Sequence, residues 1–142
     1  MMHLQLITLS GVSIDQEIYE LMAPTTAGDI AVFPGHEPLV TMAAPGALAV
    51  RHAKTDKDDK LEYFAISGGI IEINPTFVRV LVDEADHGAN IIEAESKAAL
   101  DRALKLRDEA KNRVELDKAT QLISQQQARL RVADLHRRHH RQ

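Results

Sequence analysis

The pattern of hydrophobic and polar positions changes character at Gly88. Before Gly88, short β-branched or apolar runs alternate with turn residues at intervals of roughly 8 to 12, which is typical of an all-β sandwich or barrel. The charged segment 54–60 is predicted to be a solvated hairpin loop between two strands. The predicted strands are residues 4–9, 13–23, 30–33, 39–42, 47–52, 61–67, 70–73 and 77–82.

After Gly88 the chain contains no glycine or proline, and strong helix formers dominate. Two helices are predicted, joined near residues 111–115, with Asn112 ending the first helix. The second helix has an apolar stripe at Leu116, Ala119, Ile123, Leu130 and Ala133, interrupted by Gln126. The first helix has a thinner stripe at Ala94, Ala98, Leu104 and Ala110.

The join between the two helices contains no residue that enforces a turn. A permanent hairpin is one interpretation; the other is a hairpin that opens into one extended helix when a partner supplies the burial. The predicted fold class is α+β in either case. Residues 1–88 are predicted to form an all-β domain, and residues 89–142 a helical hairpin domain.

Composition excludes several classes of protein. Of 142 residues, 44% are apolar and 27% are charged, which fits one or two small soluble domains. The longest apolar runs, 43–50 and 66–73, are far shorter than the roughly 20 residues that cross a bilayer. The absence of cysteine excludes disulfides and thiolate zinc sites. The first residues lack the basic and apolar pattern of a secretory signal.

The two regions carry opposite charge. Residues 1–88 contain five basic and thirteen acidic residues, a net charge of −8, and residues 89–142 carry a net charge of +4. A basic arm on an acidic body indicates contact with a negative surface, although an ordinary solvated helix surface has the same composition.

Motifs for catalysis and phosphate binding are absent from the sequence. His36 beside Glu37 is interpreted as a turn histidine. In the tail 136–141, His136 and His140 have the helical spacing of a metal-binding pair, but the interleaved arginines would repel a cation. The arginines suit carboxylates or phosphates better. Few aromatic residues and an acidic β region argue against nucleic acid. The helices lack the bulky apolar residues of a membrane-surface segment.

Residues 28–41, which read GDIAVFPGHEPLVT, carry a resemblance to a known family. Pro45-Gly46, the segment 66–73 (ISGGIIEI), the segment 78–85 and the terminal 130–135 (LRVADL) follow in the family's order. The chain resembles the epsilon subunit of F-type ATP synthase, called delta in mitochondria, over nearly its whole length.

The resemblance implies a sandwich of about ten strands followed by a helical hairpin. It implies a non-catalytic rotor subunit without a cofactor, which joins the gamma subunit to the c-ring in proton-driven ATP synthesis. Asp29 would then face the polar loops of the c-ring, and His36 would lie near gamma. The complex would place the chain peripherally at the cytoplasmic face of the inner membrane.

The resemblance also implies that the helices either fold on the sandwich or extend into the catalytic head and hinder ATP hydrolysis. Arg129, Arg131, Arg137 and Arg138 would then face an acidic segment of the catalytic beta subunit, with alpha nearby. Solubility is the alternative role for these arginines.

Two positions depart from the family pattern. Some bacterial members bind ATP through a motif similar to I-D-x-x-R-A, but here Ile92 replaces the aspartate, Glu95 the arginine and Ser96 the alanine. An anion in place of a phosphate-facing cation predicts weak or absent ATP binding. Ala31 stands where glycine is usual, which predicts a different or strained turn if that position requires a positive φ.

Two other functions are compatible with the residues. The sandwich could be a binding or adaptor module whose helices form a dimerisation arm. A metal-dependent enzyme that uses the histidine tail is the third hypothesis.

Overall fold

A computed structural model describes residues 1–139, which form ten β-strands and two α-helices. Two single-turn 3₁₀ helices, Asp58–Lys60 and Gly88–Asn90, accompany them; the second is called the neck turn below. The elements are β1 Met2–Thr8, β2 Gly11–Ile18, β3 Glu20–Thr25, β4 Gly28–Val32, β5 Leu39–Ala43, β6 Gly46–Arg51, β7 Glu62–Ile66, β8 Gly69–Ile73, β9 Phe77–Val82, β10 Ala85–His87, α1 Glu93–Glu109 and α2 Arg113–His139.

The strands form one continuous hydrogen-bonded path that bends into two layers. The path runs β10-β7-β6-β3-β5-β8-β9-β1-β2, with β4 paired to β3. Its weakest link is β3 to β5, where only Thr25 and Ala43 pair. The strands β10, β7, β6, β3 and β4 are called the helix-side layer, and β5, β8, β9, β1 and β2 the open layer. Every strand pair is antiparallel except β1 with β9.

The main core lies between the two layers. Alternate residues of each strand point into it, as the pleat of a strand requires. Its members include Leu4, Leu48, Val50, Ile71 and Val80, each 0% exposed. The all-β sandwich with two C-terminal helices confirms the predicted fold class.

Strands β6 and β7 of the helix-side layer are buried on both faces. In β7, Phe64 and Ile66 belong to the main core, whereas Tyr63 and Ala65 belong to a second cluster with α2. The hairpin therefore lies folded on the sandwich, with α2 against β6 and β7 and α1 against α2. The described helices contain no apolar stretch long enough to cross a membrane.

The strand predictions were wrong at two places. The predicted strand 13–23 is two strands, because the chain turns at Tyr19, whose ring packs edge-on against Phe33 at 5.7 Å. Strand β10 was not predicted, since it has only three residues and two of them, Asp86 and His87, are polar.

The helix join was also predicted incorrectly. Helix α1 ends at Glu109, and Asn112 caps the start of α2 by accepting a hydrogen bond from the Glu115 backbone N–H at 2.9 Å. The Glu115 side chain in turn accepts from the Lys111 backbone N–H at 2.9 Å. Asparagine is a strong helix N-cap, so it starts the second helix and does not end the first.

The predicted apolar stripes were partly wrong. In α2, Ala119, Ile123 and Ala133 are buried as predicted, but Leu116 is 37% exposed. In α1 the buried residues are Ser96 and Ala103, while the predicted Ala94 and Ala98 are exposed; Leu104 and Ala110 are half-buried. A pattern based on apolar residues could not identify the buried face of α1, because that face includes the polar Ser96.

The charged segment 54–60 joins β6 and β7 as a hairpin loop, but it is anchored to the sandwich. Arg51 donates to Glu20 Oε1 at 2.8 Å, to Asp58 Oδ1 at 2.8 Å and to the Asp56 carbonyl at 2.7 Å. These carboxylates raise the pKa of Arg51 above its ordinary value. The prediction of a merely solvated loop was therefore incomplete.

Ala31 causes no backbone strain. It lies in β4 opposite Met22, and residues 1–139 include no positive φ outside glycine. The position does not require the conformational freedom of glycine.

We predict that Gly69→Ala destabilises the sandwich by about 1–3 kcal/mol, because overpacking in a tight core has this magnitude. A Cβ on Gly69 would lie 2.0 Å from the Leu81 carbonyl oxygen. Urea unfolding followed by circular dichroism measures the change. Gly68→Ala is the matched control, because its Cβ would approach nothing closer than 3.4 Å. Equal unfolding midpoints for the two variants would contradict the packing argument.

Candidate interaction surfaces

The outer face of the open layer carries a row of largely exposed apolar side chains, and Met42 at one end of the row also lines a cleft with α2. Strand register pairs Met42 with Ile70, Ile70 with Leu81, Leu81 with Ile7, and Ile7 with Val12. These five residues are called the apolar band. Met42, Val12 and Ile70 are 60%, 58% and 48% exposed. An exposed apolar row across five strands is typical of a protein interface.

A polar row borders the apolar band on the same face. Arg79 donates to Glu72 Oε2 at 3.3 Å and to Gln5 Oε1 at 3.1 Å. On β5, opposite Glu72, this row ends at an apolar residue, Val40, which is 69% exposed. The face therefore has the apolar centre and polar border of a protein–protein interface.

The second surface is the contact between α2 and the helix-side layer. Ala128, Val132 and Ala133 of α2 pack with Ala49 and Tyr63 of the sheet. Half of the eight buried residues in this cluster are alanines, which bury little apolar area each, and the larger ones include Leu61 and Ile91. The contact is close but stabilised only modestly by apolar burial.

Arg129 fastens the middle of α2 to the sandwich. Its guanidinium pairs with Asp86 on β10, and its Nε donates to the Ser96 hydroxyl of α1 at 3.4 Å. One arginine therefore joins the sheet and both helices.

Arg137 is also paired within the chain, with Glu93 of α1 and with Asp134 Oδ1 at 2.6 Å. Arg138 Nε lies 3.1 Å from Asp134 Oδ2, but its side chain is 72% exposed. Arg131 is exposed, near enough to oppose the rise in the pKa of Tyr63 that burial causes. Of the four predicted interface arginines, Arg131 and Arg138 thus face solvent in the folded hairpin.

A histidine–carboxylate cluster lies beside the neck turn. Glu62 of β7 accepts from His87 Nε2 at 2.9 Å through one oxygen and pairs with His52 through the other. Burial raises the pKa of Glu62, but the hydrogen bonds from His87 and His52 outweigh it and hold the pKa below its ordinary value.

The C-terminal turn of α2 packs on this cluster. The rings of His87 and His136 are 6.0 Å apart, and those of Tyr63 and His139 are 5.7 Å apart. A Cβ on Gly88 would lie 2.9 Å from the Cβ of His136, so α2 approaches the neck turn as closely as glycine permits.

Asp29 and His36 lie in a different part of the sandwich. Asp29 is exposed on β4, opposite Pro24 in a hairpin that turns through Gly28 at φ 116°. His36 follows β4 in a turn, where its Nδ1 lies 2.7 Å from the Glu37 carbonyl oxygen. The structure brings neither residue into contact with the arginines of α2.

The positions that match the nucleotide motif do not converge on a pocket. Ile92 is 56% exposed and Glu95 is exposed, whereas Ser96 is buried against Arg129. Within residues 1–139 no three histidine or acidic side chains are placed to hold a metal ion. His140, the second member of the predicted metal pair, lies outside the described residues.

Sequence reasoning missed both the apolar band and the cluster at Glu62. Alternation along each strand predicts separately that Met42 and Ile70 lie on a strand, but only the register between the strands places them side by side. Glu62 and His87 are 25 positions apart, and no motif links them.

Comparison with known proteins follows the same division of the chain. A family model described as "ATP synthase, Delta/Epsilon chain, beta-sandwich domain" matches residues 1–88. The chain is 32% identical to the ATP synthase epsilon chain of Neisseria meningitidis serogroup C over 90% of its length and 93% of the relative. It is 33% identical to that of Xanthomonas campestris pv. campestris, over 89% and 91%.

Solved structures share the fold. The chain is similar to one in the mitochondrial ATP synthase OSCP/F1/c-ring assembly of Euglena gracilis, with a TM-score of 0.78 at 23% identity, covering 93% of this chain and 80% of that one. A chain in the central stalk/c-ring structure of Tetrahymena thermophila mitochondrial ATP synthase matches with a TM-score of 0.51 at 14% identity, over 63% and 69%.

We predict that Arg129→Gln loosens α2 from the sandwich, because it removes a charged hydrogen bond to Asp86 and leaves that carboxylate unpaired. Amide exchange in α2 should accelerate about tenfold, the effect of losing a charge-assisted bond. Hydrogen–deuterium exchange with mass spectrometry measures it. Arg131→Gln, which removes an exposed charge on the same helix, should leave exchange unchanged. Similar exchange in both variants would show that Arg129 does not fasten the hairpin.

Proposed function

Because this chain belongs to the ATP synthase delta/epsilon family, as its sequence motifs predicted, we propose that it is a non-catalytic epsilon subunit of an F-type ATP synthase. In this role it forms part of the central stalk, joins gamma to the c-ring and restrains ATP hydrolysis through its two helices. Proton-driven synthesis and a peripheral position at the cytoplasmic face of the inner membrane belong to the same proposal.

The apolar band is the observation that carries this proposal. The hairpin covers the outer face of the helix-side layer, but the open layer keeps Met42, Ile70 and Leu81 in solvent. Exposed apolar area of this kind is stabilised by a permanent partner. Since the family assembles around gamma, gamma is the partner that we assign to the apolar band, with His36 near the same subunit.

Asp29 supports contact with the c-ring. It stands exposed at the β3–β4 hairpin, away from the α2 contact, so its carboxylate is available to polar loops of a neighbouring protein. A charge at the border of an interface contributes orientation and association rate more than affinity.

The folded hairpin supports a regulatory arm. Alanine packing and a few ion pairs hold α2, and the join at Ala110 to Asn112 lacks glycine and proline. In the extended form, Arg131 and Arg138 would meet an acidic segment of the beta subunit, near alpha, and Arg129 and Arg137 would exchange their internal partners for it. Glu95 would repel nucleotide phosphates, so ATP is not assigned as a ligand of the folded hairpin.

A dimerising adaptor module is the second candidate function. Leu106, Val114 and Leu122 of the helices are 51%, 65% and 40% exposed, and such side chains could pack against a second hairpin. Co-purification with a multisubunit ATPase supports the epsilon assignment, whereas a stable homodimer without ATPase subunits supports the adaptor.

We predict that Met42→Lys weakens binding to gamma about thirtyfold, equivalent to ~2 kcal/mol, because it places a charge in the centre of the buried band. Ile70→Lys should act alike. Surface plasmon resonance with immobilised gamma measures the affinity. Val114→Lys is the matched control, since Val114 is equally exposed but lies on the hairpin. Unchanged binding of the Met42 and Ile70 variants would reject the apolar band as the gamma site.

We predict that the full chain inhibits ATP hydrolysis by the cognate catalytic head with gamma, whereas a chain ending at Gly88 binds without inhibiting. The main core lies wholly before Gly88, so the shorter chain keeps it. Exchanging Arg131 and Arg138 for glutamine should raise the inhibitory concentration roughly threefold to tenfold, as expected for exposed charges meeting an opposite surface. A coupled ATPase assay measures inhibition.

Two other outcomes of this titration are informative. Binding of both chains without inhibition would leave the helices passive and refute the regulatory role. Failure of both to bind gamma would refute the epsilon assignment itself.

A further inference from the structure

The neck turn is capped by a histidine in one defined protonation state. His87 is the N-cap of the neck turn, and its Nδ1 accepts a hydrogen bond from the Ala89 backbone N–H at 3.0 Å. An acceptor nitrogen carries no proton, so the proton of the neutral ring is on Nε2, which donates to Glu62 at 2.9 Å. Both ring nitrogens are therefore satisfied only when His87 is neutral.

Adding a proton to Nδ1 would break the cap. The new N–H would point at the Ala89 N–H, and the turn would lose its side-chain acceptor. Loss of such an N-cap shifts an equilibrium by about fivefold. The Glu62 carboxylate would still attract the charged ring and so favours protonation. The neck turn, by contrast, would have no side-chain acceptor for the Ala89 N–H.

The neck turn transmits this change to α2. Gly88, its first residue, is packed directly against the Cβ of His136, and the His87 and His136 rings are 6.0 Å apart. Movement of the turn therefore displaces the last turns of α2.

The other charged groups at this junction already form ion pairs or hydrogen bonds. Asp86 pairs with Arg129, and Glu93 and Asp134 pair with Arg137. Glu62 is shared by His87 and His52.

An open cavity of about 580 Å³ beside His87 is also lined by Asp15 of β2 and by Asn90. It admits water and protons to the ring.

Histidine is the group that changes charge in the mildly acidic range. Its ordinary pKa is about 6.5. The pKa of Glu62 lies below its ordinary 4.5, and a depressed carboxylate pKa contributes stability that is lost only as pH falls through that lower value. Glu62 thus stays ionised throughout a titration from pH 8 to 5.5.

We infer that His87 is a pH-sensitive latch: neutral His87 caps the neck turn and keeps α2 folded on the sandwich, and its protonation releases the helices. This inference rests on the proposed function only for its consequence, namely that mild acidification frees the arm that restrains hydrolysis. The latch itself belongs to the isolated chain.

The test uses the full chain, which lacks native cysteine. Spin labels on Asp83→Cys and Gln121→Cys report hairpin docking, because both exposed residues line the same cleft between the sandwich and α2. Pulsed electron paramagnetic resonance at pH 8 and pH 5.5 gives the ratio of docked to open molecules. We expect this ratio to fall about fivefold on acidification, as loss of the cap predicts.

His87→Asn separates the latch from general acid effects. The asparagine Oδ1 can accept the Ala89 N–H as Nδ1 does, but it does not titrate, so docking should persist at pH 5.5. His36→Asn, which removes a histidine distant from the hairpin, should respond as the parent does. An unchanged ratio in the parent, or an equal fall in the His87 variant, would overturn the inference.

If the hairpin of the His87 variant is already open at pH 8, a second measurement on the parent chain tests the latch. The imidazole resonances of His87 in the parent, followed by NMR, must titrate with the same midpoint as hairpin opening, and different midpoints would reject the latch. None of these readouts involves ATPase, so the latch and the inhibitory role can fail independently.

Discussion

Strands β6 and β7 of the helix-side layer are apolar on both faces, and the rest of the structure depends on how those two faces are covered. Alternate residues of β7 point to opposite sides, so Phe64 enters the sandwich core and Tyr63 the contact with α2. The open layer covers one face, and only the hairpin is available within the chain to cover the other. Burial of apolar surface therefore folds the helices onto the sandwich when no partner is bound.

The contact between the two layers and the contact between the sheet and α2 differ in the size of the apolar side chains that they bury. Large aliphatic side chains fill the space between the layers, whereas half of the eight buried residues in the contact with α2 are alanines, and ion pairs through Arg129 and Arg137 border this contact. The exposed ion pair of Arg137 contributes little net stability, so the more buried pair of Arg129 with Asp86 is the main charged anchor of the hairpin. The space between the two layers therefore buries more large apolar side chains than the contact between α2 and the sheet does.

The same reasoning connects the apolar band to assembly. Among residues 1–139 no helix packs against the outer face of the open layer, and the strand register sets Met42, Ile70 and Leu81 in one row. The chain therefore presents one sheet face that the hairpin covers and another that is largely exposed. The proposed docking through the open face and the proposed regulation through the hairpin both depend on this difference between the two faces.

The sequence by itself determined the alternation of the strands, the change to helix at Gly88 and the family, because these are encoded in short windows or in ordered motifs. It misplaced Asn112, which pattern alone cannot assign to the end of one helix or the start of the next. It also missed the inward face of α1, since a buried serine lies there. The tertiary structure alone decided the apolar band and the junction of Glu62, His87 and His136. Their members lie far apart in the chain, and only strand register and helix docking bring them together.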